Sequence, residues 1–232
     1  MIAALLLQAA LAQAQSAGPV AGGVVSSKEW TIRRSTSGKE EEFTGDVRYR
    51  SGPTLFTADW ALLKHATMLW RARGRVHVVH ALEGGDTIDG QGDEATLRQQ
   101  TGEGRLTGKQ GVRFLRTPAG GEPDQSRADR LEWYGKSKVS AVGAVHTWGP
   151  RLEDWADRAD YDNAAGKLTL TGGRPVVLKL PGFDEANSDW IAAMQGDVVT
   201  ASRHPRRLTA DGKSRGWLEF TERRRPKEPR EE

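Results

Sequence analysis

A small residue followed by aspartate recurs along this chain at nearly constant spacing, and this recurrence restricts the fold more than any other feature. The pairs are Ala58-Asp59, Gly92-Asp93, Ala128-Asp129, Ala159-Asp160 and Gly196-Asp197, with aspartates 34, 36, 31 and 37 residues apart. A period of this length marks a repeated supersecondary unit that cannot bury its own apolar face and has to stack on its neighbours. Between the pairs lie glycine-led valine segments: Gly45-Asp46-Val47, Gly74-Arg75-Val76, Gly111-Val112, Gly143-Ala144-Val145 and the looser Gly173-Arg174-Pro175-Val176. Each unit is then about two strands and two turns. Glycine supplies positive φ at a turn and an aspartate side chain accepts bonds from nearby backbone N–H groups, so the aspartates are read as structural.

Alternation fixes the class. In Phe43-Thr44-Gly45-Asp46-Val47-Arg48-Tyr49-Arg50, the residues Phe43, Val47 and Tyr49 share one face while Thr44, Asp46, Arg48 and Arg50 share the other. The same two-residue period runs through Gly74 to Val78 and Lys167 to Leu170, and Val176 to Leu180 is more continuously apolar. The expectation is an all-β chain, a jelly roll, flattened barrel or short β-solenoid with one continuous apolar interior. Its 232 residues suffice for one large β domain or two small ones. There is no cysteine, so a disulfide framework, a thiolate metal site, a cysteine nucleophile and a cysteine lipid anchor are all excluded.

The organisation follows from composition. Residues 1–14 form a short apolar run ending in Ala12-Gln13-Ala14, the pattern of a secretory signal, although no basic residue precedes Lys28. Residues 15–29 read as a flexible linker, 30–220 as the repeated β domain and 221–232 as a charged, disordered tail. Export places the protein in the periplasm and argues against nucleic acid as a partner. An insertion-like loop is expected at Thr117 to Arg127, and a less regular stretch from Pro181 to Asp211.

The run Phe43-Thr44-Gly45-Asp46-Val47 followed by Thr57-Ala58-Asp59 resembles the opening unit of OstA-like proteins, the LptA type of lipopolysaccharide transport component. Gly143-Ala144-Val145, with Ala159-Asp160-Tyr161-Asp162 and Leu168-Thr169-Leu170-Thr171-Gly172, resembles a later copy. The related LptC type carries a similar domain behind a membrane anchor, and the shortness of the N-terminal apolar run favours the LptA type. The resemblance implies a twisted β jelly roll that binds lipid A without catalysis. It also implies bridging between the related jelly-roll domains of inner- and outer-membrane transport components, with head-to-tail self-association through open sheet edges.

An acyl chain of a dozen methylenes costs roughly 10 kcal/mol to expose to water, so its carrier needs an apolar trough rather than directional contacts. The candidate lining residues are Phe43, Val47, Tyr49, Val76, Val78, Val145, Leu168, Leu170 and Leu178. The same residues can instead pack into a dry core, which would make the chain a structural or interaction scaffold of the cell envelope.

Catalytic alternatives find less support. His77 and His80 have the spacing of a helical metal pair, but on a strand they face opposite sides, so no metal site and no cofactor are expected. No Gly-x-Ser-x-Gly elbow is present. Gly104 to Gln110 has only three residues between its glycines and no Ser or Thr after Lys109, and reads as a turn-rich hairpin rather than a phosphate loop. The acidic residues Glu40, Glu41, Glu42, Glu153, Asp154, Asp157 and Asp160 offer pairs of glycosidase type whose separation sequence does not give. The segment Arg151 to Asp160 is expected to form a charged turn or short helix with Leu152, Trp155 and Ala159 inward.

Overall fold

Glycine and the residue after it turn a corner halfway along alternate strands. In the computed structural model both members of each pair have positive φ: Gly45 and Asp46 (77° and 49°), Gly74 and Arg75 (73° and 44°), Gly143 and Ala144 (81° and 42°), Gly173 and Arg174 (56° and 59°), Gly212 and Lys213 (65° and 26°). The structure describes residues 23–36, 38–149, 152–179, 190–203, 205 and 207–220. The expected signal segment, most of the linker and the tail lie outside them.

The described strands are β1 (Val24–Ser26), β2 (Glu29–Ser35), β3 (Gly38–Ser51), β4 (Thr54–Lys64), β5 (Leu69–Ala81), β6 (Thr87–Arg98), β7 (Glu103–Thr117) and β8 (Asp124–Tyr134). They continue as β9 (Lys138–Trp148), β10 (Leu152–Asp162), β11 (Lys167–Thr171), β12 (Val176–Lys179), β13 (Trp190–Gln195), β14 (Val198–Ser202), β15 (Arg207–Asp211) and β16 (Arg215–Phe220). All sixteen belong to one sheet. Every pairing is antiparallel.

Register shows that sixteen strands are twelve chain passages. β1 and β2 pair with the two halves of β3, β11 and β12 with the two halves of β10, β13 and β14 with β12 and β11, and β15 and β16 with β14 and β13. Four passages are therefore cut at the corner, while β3 to β10 cross it unbroken. The ladders of those eight are interrupted at the same level, for example between Thr44 and Val47, Arg73 and Val76, and Val142 and Val145. Bulges at a common level bend the whole sheet along a line, giving two layers. Layer A holds the half-strands that pair with β2, β11, β14 and β15, and layer B those that pair with β1, β12, β13 and β16.

The sequence repeat is the chemistry of this corner. Asp59, Asp129, Asp157 and Asp197 each sit over a left-handed glycine of the following passage: an added Cβ on Gly74 would lie 2.6 Å from Asp59 Oδ2, and one on Gly172 2.8 Å from Asp157 Oδ2. Arg75 Nε donates to Asp59 Oδ1 at 3.0 Å, and the Lys109 N–H donates to Asp93 Oδ2 at 2.6 Å. The small residue before each aspartate pairs with an inward valine, Ala58 with Val47, Gly92 with Val76 and Ala128 with Val112. In the fourth unit the corner residue is Asp157, not Asp160; Asp160 lies one turn of the pleat further on, bonded by Arg158 Nε at 2.7 Å.

The all-β expectation holds, as a meander in which each passage pairs with its sequence neighbours, rather than a solenoid. Other expectations are corrected. Of the segment expected to be a charged turn or short helix, Leu152 to Asp160 lie in strand β10, with Trp155 outward and 38% exposed, and Arg151 falls outside the described residues. Gly104 to Gln110 lies within β7, whose ladder breaks between Thr107 and Val112. The expected insertion at Thr117 to Arg127 shrinks to a connection, because β8 begins at Asp124. Ordered pairing begins at Val24, opposite Arg50, inside the expected linker.

Candidate functional site

The two layers meet across inward rows read directly from register. In layer A one row runs Phe43, Ala61, Ala72, Ala95, Leu106, Leu131, Ala141, Ala159, Leu170, Val199 and Ala210. In layer B the facing row begins Tyr49, Phe56, Val78, Gly90 and Phe114, then turns polar at Ser126, Thr147 and Asp154 before returning to Val177. Most of these side chains belong to one continuous apolar cluster.

Of the residues expected to line this interior, Phe43, Val47, Tyr49, Val76, Val78, Val145 and Leu170 are buried within it, and Leu168 packs half-buried at its margin. Leu178 does not join them. It pairs with Glu153 on the outward face, because Val177, 1% exposed, takes the inward position of β12. In a run of consecutive apolar residues alternation alone does not say which member points in.

Among the described residues, two gaps between the layers each have about 10 Å³ of room, the space of one water molecule. One is walled by Thr54, Phe56 and Val78 of layer B and by Trp70, Ala72, Ala95, Thr96, Leu97 and Trp133 of layer A. The other lies between Val78, His80 and Ile88 of layer B and Leu131, Trp133 and Val139 of layer A. Val78 and Trp133 therefore form the partition between them. Trp70 stacks among aromatic rings, 4.1 Å from Tyr49 and 5.5 Å from Phe43 between centroids.

Polar groups inside this apolar volume stand out. Among the described residues, Tyr49 Oη, Trp70 Nε1, Trp133 Nε1 and Asp154 Oδ1 are buried without a well-formed hydrogen bond, although Tyr49 Oη and Trp70 Nε1 face each other. Each such group costs about 1–3 kcal/mol relative to a satisfied one. Burial pushes the Asp154 carboxyl up to about 7; a Thr147 hydrogen bond opposes the shift, and the nearby charges of Asp124 and Glu153 add to it. Asp124 is also raised, by burial, against the pull of Arg116 and Arg203.

One end of the interior is tied by the connection between β5 and β6, which carries a short 3-10 turn at Glu83–Gly85. His80 Nε2 donates to the Gly135 carbonyl across the layers at 2.7 Å, and Thr54 Oγ1 lies 2.9 Å from Nδ1. Burial lowers the His80 pKa, in keeping with a neutral ring. The Glu83 N–H donates to the Lys136 carbonyl at 3.2 Å. Asp86, 1% exposed, accepts from Arg203 Nη2 at 2.8 Å, Arg116 Nη2 at 3.0 Å, Tyr161 Oη at 3.2 Å and the Ala119 N–H at 3.0 Å. Burial raises the Asp86 pKa, but the Ala119 N–H, Arg203 and Arg116 together hold it below the ordinary range. Sequence reasoning did not identify this ion cluster, since its members are up to 117 positions apart.

The sheet does not close. Among the described residues the first passage (β1, β2) and the last (β15, β16) each pair on one side only. Both carry exposed apolar side chains: Val24, Trp30 and Ile32 at one edge, Trp217 and Leu218 at the other.

No protein-family model matches the chain, and no curated protein does. Among solved structures, it is similar to LptH of Pseudomonas aeruginosa, the LptA-homologous periplasmic component of the lipopolysaccharide transport device. The similarity covers 61% of this chain and 76% of that one, at 11% identity and a TM-score of 0.30. Among the described residues, no helix is long and apolar enough to cross a membrane.

Proposed function

We propose that this chain is a non-catalytic periplasmic carrier that shelters the acyl chains of lipopolysaccharide between its two layers and bridges related jelly-roll domains. The carrying observation is the continuous apolar cluster held between the two layers, and the small gaps within it are lined by apolar side-chain surface. Acyl chains need only such apolar contact. Entry requires the layers to part, and between them the apolar rows present side-chain packing rather than a hydrogen-bonded ladder. Their separation is thus opposed by hydrophobic contact that an incoming acyl chain replaces.

Bridging rests on the unpaired main-chain groups of the edge passages, to which a related sheet can add by β-augmentation. The competing reading, an envelope scaffold with a permanently dry core, draws on the same apolar cluster. Mass spectrometry of protein purified from a lipopolysaccharide-producing host separates the two. Co-purified lipid A, or saturable uptake of added lipopolysaccharide accompanied by a change in tryptophan emission, is the expected result. Absence of both rejects the carrier in favour of the scaffold.

A further inference from the structure

The outward faces of the two layers differ in how their charges are handled. On layer A, most cations near the sheet centre are matched to acids, Arg71 and Lys167 being exceptions: Lys64 Nζ lies 3.0 Å from Glu40, Arg105 Nη2 3.1 Å from Glu132, Arg130 Nε 3.0 Å from Glu132 and Arg158 Nε 2.7 Å from Asp160. On layer B the outward row runs Arg48, Thr57, His77, Gln91, Arg113, Arg127, His146 and Trp155 across adjacent half-strands, with no acid in it. The two acids of the next row are already engaged, Asp89 by His77 Nε2 at 2.6 Å and Glu153 by His146 Nε2 at 2.7 Å.

Arg113 and Arg127 are exposed and stand directly opposite each other on β7 and β8. Neither side chain takes part in any described ion pair or hydrogen bond. Like charges in register destabilise a sheet unless an anion lies between them. Flanking them on the same face are Leu115 and Trp155, 39% and 38% exposed, and Trp148, with His146 stacked on Trp155 at 5.0 Å.

We infer that the outward face of layer B docks on an anionic lipid bilayer, with Arg113 and Arg127 sharing phosphate headgroups while Leu115 and Trp155 sit at the interfacial level. Unmatched guanidinium groups supply attraction to anionic headgroups, and exposed aromatic and aliphatic side chains among them supply the interfacial partition that a purely polar polyanion would not use. This surface lies on the opposite side of the sheet from the proposed acyl-binding interior and does not depend on it.

Co-sedimentation of the full chain with phosphatidylcholine vesicles, with and without phosphatidylglycerol, tests the inference. Binding is expected only with the anionic lipid and is expected to weaken with salt. Replacing the pair, Arg113→Ala with Arg127→Ala, should lower binding by at least about tenfold. The equal charge change on layer A, Arg71→Ala with Lys167→Ala, should leave it within about twofold. Circular dichroism identical to the parent shows that each variant is folded. The inference is overturned if anionic vesicles do not bind, or if both double variants lose binding equally. It is also overturned if the arginine pair proves necessary for retaining an oligonucleotide but not vesicles.

Discussion

Asp154 is a carboxyl in an apolar wall, and its proton decides how much it costs. The folded chain keeps that proton up to about pH 7, whereas the unfolded chain releases it near the ordinary aspartate value of 3.8. Between these values the native state binds more protons, so stability falls as pH rises through the window and stays at the lower level above it. Asp154→Asn holds the group neutral throughout. Urea unfolding should therefore show little difference from the parent near pH 4, and a variant more stable by up to about 4 kcal/mol at pH 8. An offset that does not change with pH would mean that this carboxyl is not the titrating group. Sequence could present Asp154 only as one acid among seven. What distinguishes it, an inward position between Thr147 and Val177, depends on the register of β9, β10 and β12.

At the scale of the strand, the corner was legible and its detail was not. Glycine, valine and small-Asp units marked the places where β3, β5, β7 and β9 bulge because the backbone conformation itself demands those residue types. The fourth unit was misassigned because Ala156-Asp157 and Ala159-Asp160 satisfy the same pattern three residues apart, and only the opposing Gly172 selects between them. Two glycines separate the cost of conformation from the cost of contact. Gly52 has φ +52° with nothing within 4 Å of an added Cβ, while Gly74 has φ +73° with Asp59 in the way. Thermal or urea denaturation should place Gly52→Ala about 1 kcal/mol below the parent, and Gly74→Ala about 2–3 kcal/mol or more below it. Equal losses would show that the aspartate yields freely and contributes nothing to the bend.

For the whole molecule, the open ends matter most. Layer A begins at β2 and ends at β15, layer B begins at β1 and ends at β16, and exposed tryptophans stand at both edges. Light scattering across a concentration series should show self-association, and Trp30→Lys or Trp217→Lys should each suppress it, since one lysine on an edge disfavours further pairing. Association that survives both substitutions would mean that the copies meet elsewhere. Alternation and period disclosed the all-β class and seven of the nine expected lining residues as buried. They did not disclose the Asp86 cluster, because it joins residues whose proximity no local pattern records.

A meander that hydrogen-bonds only to its neighbours in sequence can be lengthened or shortened by whole hairpins without rewiring any strand. A duplicated or deleted segment of one period would extend or trim the slab at an edge while the crease continues unbroken, so evolution can set the length of such a molecule as freely as a weaver sets the length of cloth.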